Sequence, residues 1–508
     1  MSAIPYDKPG NNPPDHFFPS PFNGREMDDE GALPRTLIEL KMCTLSATLR
    51  DKPEWWLKFT DSSIAAKWKT EALAQGFTEP QIDYIIAELA DYSKLREDAS
   101  GAEVSCFDKI WQSDSLIPAA VLAELKAAVR KLEEVPEEEK DWHPRSNGQV
   151  LDLVHPSLYP LVYNRSLAKP DLTPVAPPPP DRHHGSNFSE RFAWLPTKFC
   201  ISEDGTKAKA LSYINNVHPT RHKDLVSVLE RIVAAYVPLF NRVLTDQLGN
   251  NEGNFPLRVS DDYTYNEDSE APAPKREKGE STDDWWQRYV VWDEARDINM
   301  SEAEAYVPGH LLKREQIYRV NGQTIQIIVK LANIILTPNS PTYDGGSWHV
   351  EGMKNEAIVA SGIYYYDEQN ISESRLAFRQ GVRGPENYHQ SDSVGARKVW
   401  GLASNDQLVQ DLGQVVISSS RSTVLMPSQH RVAPFELIDK SQPGHRKILA
   451  LFLVNPTHKI PSTSIIAPQQ ANWIAEAVLD AASDSEGHLS KLRASCLTAC
   501  SSRLTAIL

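Results

Sequence analysis

Two histidines and a glutamate in the last third of the chain are residue types that bind metal ions. His349 and Glu351 are separated by one residue, and His430 follows in a later strand-like segment. In an extended segment, residues i and i+2 point to the same side, so His349 and Glu351 can share a cation. Two histidines and one carboxylate form the facial triad typical of non-haem Fe(II) oxygenases. The pattern therefore predicts a catalytic metal bound by these three residues.

A cation at the head of a later apolar strand could bind an acid held at such a metal. Arg446 and Lys447 open the apolar run that ends at Val454. The planar fork of arginine matches a carboxylate through two hydrogen bonds, so Arg446 is the first candidate for binding the distal carboxylate of a 2-oxo acid. Lys447 is the alternative, because strand alternation turns only one of the two inward and the sequence leaves the face open.

Further candidates for binding lie on the strands between the two histidines. In the run from Ile363 to Tyr366, alternation places Ile363 and Tyr365 on one face and Tyr364 on the other. Tyr364 is a candidate for binding the 2-oxo acid, and Ile363 and Tyr365 are candidates for binding a substrate. Packing in the core is an equal alternative for each of these residues. Arg379 could bind a substrate carboxylate, although a solvated or salt-bridged arginine is the commoner situation.

The elements that must position these residues follow from the period of the apolar positions. Ile82, Ile85, Ile86 and Leu89 have helical spacing, whereas the period after residue 310 is that of strands. A helix is expected over 224–248, with Pro238 kinking or interrupting it. The sequence predicts an irregular segment (1–34), a helical region (35–168), a proline-rich connector (169–185), a helical and mixed support (186–309) with a polar insertion (250–284), a β core (310–460) and C-terminal helices (461–508).

Composition excludes several classes of function. The chain has 508 residues and a formal net charge of −15, which disfavours sequence-independent binding to nucleic acid. It has no apolar run of the roughly 20 residues needed to cross a membrane, and no visible secretory signal. Five cysteines in such a chain suit a reducing compartment, so we expect a cytoplasmic protein. The oligomeric state is left open.

Several segments together resemble the Fe(II)/2-oxoglutarate-dependent dioxygenases, and more closely an uncharacterised fungal domain family of that type. They are Trp194–Pro196, Ser212–Asn216, Gly346–Met353, Ile363–Asp367, His430–Val432 and Pro443–Leu449. The resemblance implies an α+β fold with a double-stranded β-helix core of the jelly-roll or cupin-like kind. It also implies Fe(II) on His349, Glu351 and His430, and 2-oxoglutarate on Arg446. Glu351 departs from the wider superfamily, which more often has aspartate there.

The resemblance implies an oxygenase that uses Fe(II), 2-oxoglutarate and O2 to oxidise a C–H bond of a small molecule. An amino acid or a natural-product intermediate of fungal secondary metabolism is the candidate substrate. Hydroxylation is the default outcome, with oxidative cyclisation or desaturation left open. Two other hypotheses remain at this point. One is a Jumonji-like oxygenase that modifies proteins or peptides, and the other is a non-catalytic β-barrel scaffold with structural histidines.

Overall fold

The computed structural model describes residues 18, 22, 32–178, 187–248, 256–266, 272–385, 392–402, 408–426 and 428–476. Most of the predicted irregular segment 1–34 lies outside the described residues. So do residues 179–185 of the predicted connector, residues 250–255 and 267–271 of the predicted insertion, and the part of the predicted C-terminal helices beyond residue 476.

Helices dominate the first part of the chain. The helix α4 begins at a capping box, in which the Thr78 side chain accepts from the Gln81 backbone N–H and the Gln81 side-chain oxygen accepts from the Thr78 backbone N–H. The described α-helices are α1 (Leu37–Arg50), α2 (Trp55–Lys58), α3 (Ser62–Ala74), α4 (Glu79–Leu95), α5 (Ala119–Glu133), α6 (Lys223–Asp246), α7 (Thr282–Ala295) and α8 (Ser393–Trp400).

Strands begin before the predicted β core and then fill it. Those that precede residue 310 are short: β1 (Glu103–Val104), β2 (Ile110–Ser113), β3 (Asp141–Trp142), β4 (Val150–Val154), β5 (Leu161–Val162), β6 (Leu167–Ala168), β7 (Thr173–Pro174), β8 (Phe192–Ala193), β9 (Thr197–Ile201), β10 (Ala208–Ala210), β11 (Tyr263–Tyr265) and β12 (Ile298–Met300). The later ones are β13 (Thr324–Leu336), β14 (Thr342–Tyr343), β15 (Ile358–Gln369), β16 (Ser374–Gly381), β17 (Val409–Ile417), β18 (Ser422–Leu425), β19 (Gln429–Val432), β20 (Phe435–Glu436) and β21 (Gly444–Val454).

One large antiparallel sheet holds the described structure together. Its order is β1-β2-β18-β15-β21-β13-β4-β3, and β9 also pairs with β13. One face packs on the helices: a Cβ at Gly362 of β15 would meet the ring of Tyr236 in α6. The other face carries Lys330, Ile334, Arg446 and Ala450, as the cross-strand pairs Lys330–Ala450 and Ile334–Arg446 show. We call this the inner face.

Small sheets alternate with the large one along the chain. After β13 of the large sheet comes β14, which pairs with β20, and after β15 come β16 and β17, which pair with each other. The chain then returns to the large sheet at β18, leaves it for β19, which pairs with β16, and for β20, and returns at β21. The connections therefore pass back and forth between the large sheet and small ones.

The predicted α+β class is confirmed, whereas several details of the predicted elements differ. Strands β1 to β6 lie within residues 35–168, where only helices were expected. Pro238 does not interrupt α6. Residues 461–470 are not helical, and the described helix at the C-terminal end covers 471–476. No described helix is both long enough and apolar enough to cross a membrane.

We expect Gly362→Ala to destabilise the contact between β15 and α6. A Cβ at this position would lie 2.8 Å from Cε1 of Tyr236, a residue that is fully buried. Overpacking of this kind lowers the free energy of unfolding by about 1–3 kcal/mol, which urea unfolding would measure. Gly384→Ala is the control, because a Cβ there meets no atom within 4 Å. Equal losses in both variants would contradict this account of the packing.

Candidate metal centre

The side chains of His349, Glu351 and His430 converge on one point. Nε2 of His349 and Nε2 of His430 each lie 3.6 Å from Oε1 of Glu351. One donor atom from each of the three residues lies within 4.8 Å of the others. The side chain of His430 is 5% exposed and that of His349 is 45% exposed, so the group opens to solvent on the His349 side.

Backbone pairing brings the two histidines together across a long stretch of sequence. His349 and His430 form an antiparallel bridge, with backbone nitrogen-to-oxygen distances of 3.2 and 3.0 Å. The loop before His349 approaches β19 closely at Gly345, where φ is +92° and a Cβ would lie 2.9 Å from the carbonyl oxygen of Val432. Only glycine suits this conformation and this approach, so Gly345 permits the loop to deliver His349 beside His430.

Both imidazoles are oriented as metal ligands usually are. Nδ1 of His349 lies 2.8 Å from the carbonyl oxygen of Ser347, and Nδ1 of His430 lies 3.4 Å from that of Ser428. A ring that donates its Nδ1 proton to a carbonyl keeps the lone pair of Nε2 for a metal. The two Nε2 atoms are the ones that face Glu351, so the donor set fits a divalent cation.

Charge near the centre favours the ionised form of Glu351. Burial raises the pKa of this carboxyl, but the positive charge of Lys330 and the close approach of both imidazoles hold the pKa well below its usual range. The ionised carboxylate is the form that binds a metal, and it supplies the negative charge that offsets a divalent ion.

The structure separates the two cations that the sequence left as alternatives. Arg446 lies on the inner face, 1% exposed, and its Nη2 is 3.3 Å from Glu368. Its Nε and Nη1 are buried without a hydrogen-bond partner. Lys447 lies on the opposite face, where its Nζ is 2.8 Å from Glu133 at the end of α5. Arg446 therefore retains donors for a buried anion, whereas Lys447 is already paired.

The other predicted binding residues divide between the two faces. Ile363 and Tyr365 lie on the inner face, and the ring of Tyr365 is 5.8 Å from the Arg446 guanidinium. Tyr364 points towards the helices, and its buried hydroxyl has no hydrogen-bond partner. Tyr364 and Lys447 thus lie away from the metal centre, and the structure does not support their predicted role in binding 2-oxoglutarate.

Arg379 also lies away from the metal centre. It pairs with Gln429, the neighbour of His430, so strand alternation turns it to the opposite face of the small sheet. There its guanidinium stacks over Trp348, 4.5 Å from the ring centre, and Arg431 lies over the same ring at 4.6 Å. Trp348 is held by these two arginines and anchors the loop that carries His349. The predicted contact of Arg379 with a substrate has no support in this placement.

A second polar group, which the sequence reasoning missed, lies around strand β4. His143, Asp152 and His155 each have a donor atom within 4.8 Å of the others. Nδ1 of His143 lies 2.8 Å from Asp152, and the backbone N–H of Ser157 donates to Nδ1 of His155 at 3.2 Å. Because Nδ1 of His155 accepts this hydrogen bond, the neutral ring carries its proton on Nε2 and has no free lone pair for a metal, so the group suits a metal less well than the triad does. The sequence signal that could have revealed this group is Asp152, a single carboxylate inside the otherwise apolar run Val150–Val154.

Comparison with known families identifies the chain. The family model described as "Protein of unknown function (DUF4246)" matches residues 79–477. The chain belongs to the DUF4246 family. A second model, "Domain of unknown function DUF4246, N-terminal", matches residues 3–71. The DUF4246 match includes all three residues of the triad. No curated protein matches this sequence.

Solved structures give only weak likenesses to this DUF4246 chain. The Fe(II)/(alpha)ketoglutarate-dependent dioxygenase TqaL, selenomethionine-labelled, has 10% identity and a TM-score of 0.29, over 76% of this chain and 94% of its own. A bsmA homolog from Methylobium petroleophilum PM1 has 11% identity and a TM-score of 0.22, over 56% and 79%. Hydroquinone 1,2-dioxygenase PnpCD has 15% identity and a TM-score of 0.13, over 27% and 65%. Likenesses at this level do not establish a shared fold or activity.

We expect the protein to bind one divalent ion tightly at the triad. His430→Ala should weaken Co(II) binding by more than the roughly 10–100-fold that loss of an outer-shell partner costs, because it removes a ligand itself. Isothermal titration calorimetry would measure the affinity and the stoichiometry.

His445→Asn is the matched control for the metal measurement. Its imidazole lies 3.1 Å from Asp367, on the face turned away from the triad. If this variant weakened Co(II) binding as much as His430→Ala does, or if His430→Ala bound Co(II) normally, the site would not be the triad.

Proposed function

We propose that the protein is a non-haem Fe(II)/2-oxoglutarate-dependent oxygenase that oxidises a C–H bond of a small molecule. The observation that carries the proposal is the convergence of His349, Glu351 and His430, with both Nε2 atoms 3.6 Å from the same carboxylate oxygen. Two neutral imidazoles and one carboxylate on one side of an ion leave positions free for a chelating 2-oxo acid and O2.

We further propose that the β core is a double-stranded β-helix. The passage of the chain between the large sheet and the small ones, from β13 to β21, supports it, since a jelly roll is built from two such sheets. In this arrangement the triad lies where β19 meets the loop after β14, and the inner face of the large sheet lies across from it. The inner face would then form one wall of the site.

The reaction consumes one 2-oxoglutarate and one O2 for each C–H bond oxidised. In the default hydroxylation, one oxygen atom enters the substrate as a hydroxyl group and the other enters succinate, while the C1 carboxylate of 2-oxoglutarate leaves as CO2. His349, Glu351 and His430 would hold the Fe(II), which would supply the redox chemistry for O2 reduction, with two electrons from the decarboxylation and two from the C–H bond. Succinate is therefore a product that can be measured before the substrate is known.

The residues of the chain would contribute binding, charge and orientation. His349 and His430 hold their rings through the carbonyls of Ser347 and Ser428, and Glu351 compensates part of the metal charge. Arg446 offers two buried, unpartnered N–H groups to the distal carboxylate of 2-oxoglutarate. The exposed edge at His349 is the side from which a substrate would enter.

We expect the purified protein with Fe(II), 2-oxoglutarate and air to form succinate slowly even without a substrate. Glu351→Gln should lower the rate at least about tenfold, because a neutral amide neither offsets the metal charge nor binds it well. Chromatography of succinate would measure this, with His445→Asn as the control. If the wild-type protein formed no succinate, or if Glu351→Gln matched it, the chain would be a scaffold with structural histidines.

We expect Arg446→Met to raise the KM for 2-oxoglutarate about tenfold or more in the same assay. The variant removes the buried donors from the inner face and keeps the apolar stem. Lys447→Met tests the other candidate, and we expect a KM near that of the wild type, since Lys447 pairs with Glu133 on the other face. A raised KM in Lys447→Met alone would show that the co-substrate binds on the helical side of the sheet.

A further inference from the structure

A cleft lies on the large sheet, on the face opposite the inner face. It encloses about 490 Å³, within the range of roughly 300–1,000 Å³ that small-molecule sites have. Its floor is formed by β13 and β21, where Asn333 pairs with Lys447 and Ile335 pairs with His445. His445 and Lys447 flank Arg446 along β21, so strand alternation turns them away from the inner face. We call this cavity the rear cleft.

A single asparagine fixes the loop that forms one wall of the rear cleft. Nδ2 of Asn370 donates to the carbonyl oxygens of Asp439 and Gln442, both at 2.9 Å, and its Oδ1 accepts from the backbone N–H of Asp439 at 2.8 Å. Gly444 ends this loop, and a Cβ there would lie 2.6 Å from the carbonyl oxygen of Asn370. The wall is therefore held in place by the fold itself, and a ligand would not have to order it.

The ionisable side chains that line the rear cleft each have a partner within the protein. The nitrogen-to-oxygen distances are 2.8 Å for Lys447 and Glu133, 2.7 Å for Lys140 and Glu137, and 3.1 Å for His445 and Asp367. The hydroxyl of Ser441 donates to the carboxylate of Asp439 at 2.6 Å. A charged ligand would have to break one of these contacts and would leave the displaced group without its partner. The rear cleft therefore favours a ligand without net charge.

The neutral amides of the rear cleft, in contrast, keep free hydrogen-bonding capacity. Asn333 is 3% exposed, and its Nδ2 donates to Glu133 at 2.7 Å, whereas its Oδ1 is buried without a hydrogen-bond partner among the described residues. Gln369 and Gln442 also line the cleft with exposed side chains, and no described residue hydrogen-bonds to their side-chain amides. Each glutamine amide can both donate and accept, as a hydroxyl group can. These groups therefore match a ligand that carries several hydroxyls.

We propose that the rear cleft binds a neutral, hydroxyl-rich small molecule such as a monosaccharide or a sugar alcohol. Its hydroxyls would donate to Oδ1 of Asn333 and exchange hydrogen bonds with the amides of Gln369 and Gln442. The apolar side chains of Ile335 and Pro443, which also line the cleft, would contact the C–H groups of the ligand. A donor on Asn333 would satisfy a buried acceptor that the described part of the fold leaves unpaired. This site is separate from the metal centre.

The test is a binding measurement on the full-length protein. Saturation-transfer NMR screens a panel of neutral monosaccharides and sugar alcohols at millimolar concentration, and a titration then compares the best ligand with an amino sugar and a uronic acid of the same carbon skeleton. We expect the neutral ligand to bind at least about fivefold more tightly than either charged analogue, because a charge would disturb the existing pairs. No binding of any neutral member of the panel, or equal binding of a charged analogue, would overturn the proposal.

Two variants assign the binding to the rear cleft. Gln369→Ala and Gln442→Ala should each weaken it about fivefold, the usual loss for one neutral hydrogen bond. Both side chains are exposed, so the variants should fold normally. Gln414→Ala is the control, because Gln414 is an exposed glutamine of β17 that does not line the cleft. Unchanged affinity in both cleft variants, or equal weakening in the control, would overturn the assignment.

A competition measurement separates this site from the proposed co-substrate site. Excess 2-oxoglutarate added to the protein loaded with Co(II) should leave the affinity for the neutral ligand unchanged, because Arg446 lies on the other face of the sheet. Displacement of the neutral ligand by 2-oxoglutarate would place it at the metal centre and would overturn its assignment to the rear cleft.

Discussion

Backbone pairing of β13, β21 and β15 is the constraint on which the rest of the molecule depends. These strands lie in the interior of the large sheet, where every backbone N–H and carbonyl needs a hydrogen-bond partner. Pairing with the neighbouring strands supplies these partners. The same pairing sends alternate side chains to opposite faces. One face packs against α6, and the other carries Lys330 and Arg446.

This alternation explains why neighbouring residues have such different surroundings. Lys447 reaches Glu133 at the end of α5, so its charge is compensated within the fold. Arg446 turns inward, where Glu368 satisfies only one of its nitrogens. Burial lowers the pKa of the Arg446 guanidinium, as expected for a cation whose solvation is incompletely replaced. Uncompensated buried charge is costly to folding, and its retention on one face favours a role in binding.

The metal centre depends on a second pairing, between segments far apart in the sequence. The bridge between His349 and His430 places the two rings 4.6 Å apart, centre to centre. Gly345 allows the loop to approach Val432, and Arg379 and Arg431 contact the ring of Trp348 on the outer side. The backbone and the outer packing thus position the ligands, and the ligands themselves contribute little to the core.

The sequence by itself determined the α+β class, the residue types able to bind a metal, and Arg446 and Lys447 as the two candidate cations. Residue type and a period of two are local properties that can be read along one strand. Only the tertiary structure decided that Arg446 faces inward and that Tyr364 and Arg379 lie away from the triad. Those relations depend on register between strands distant in the chain, and a shift of one residue reverses every face.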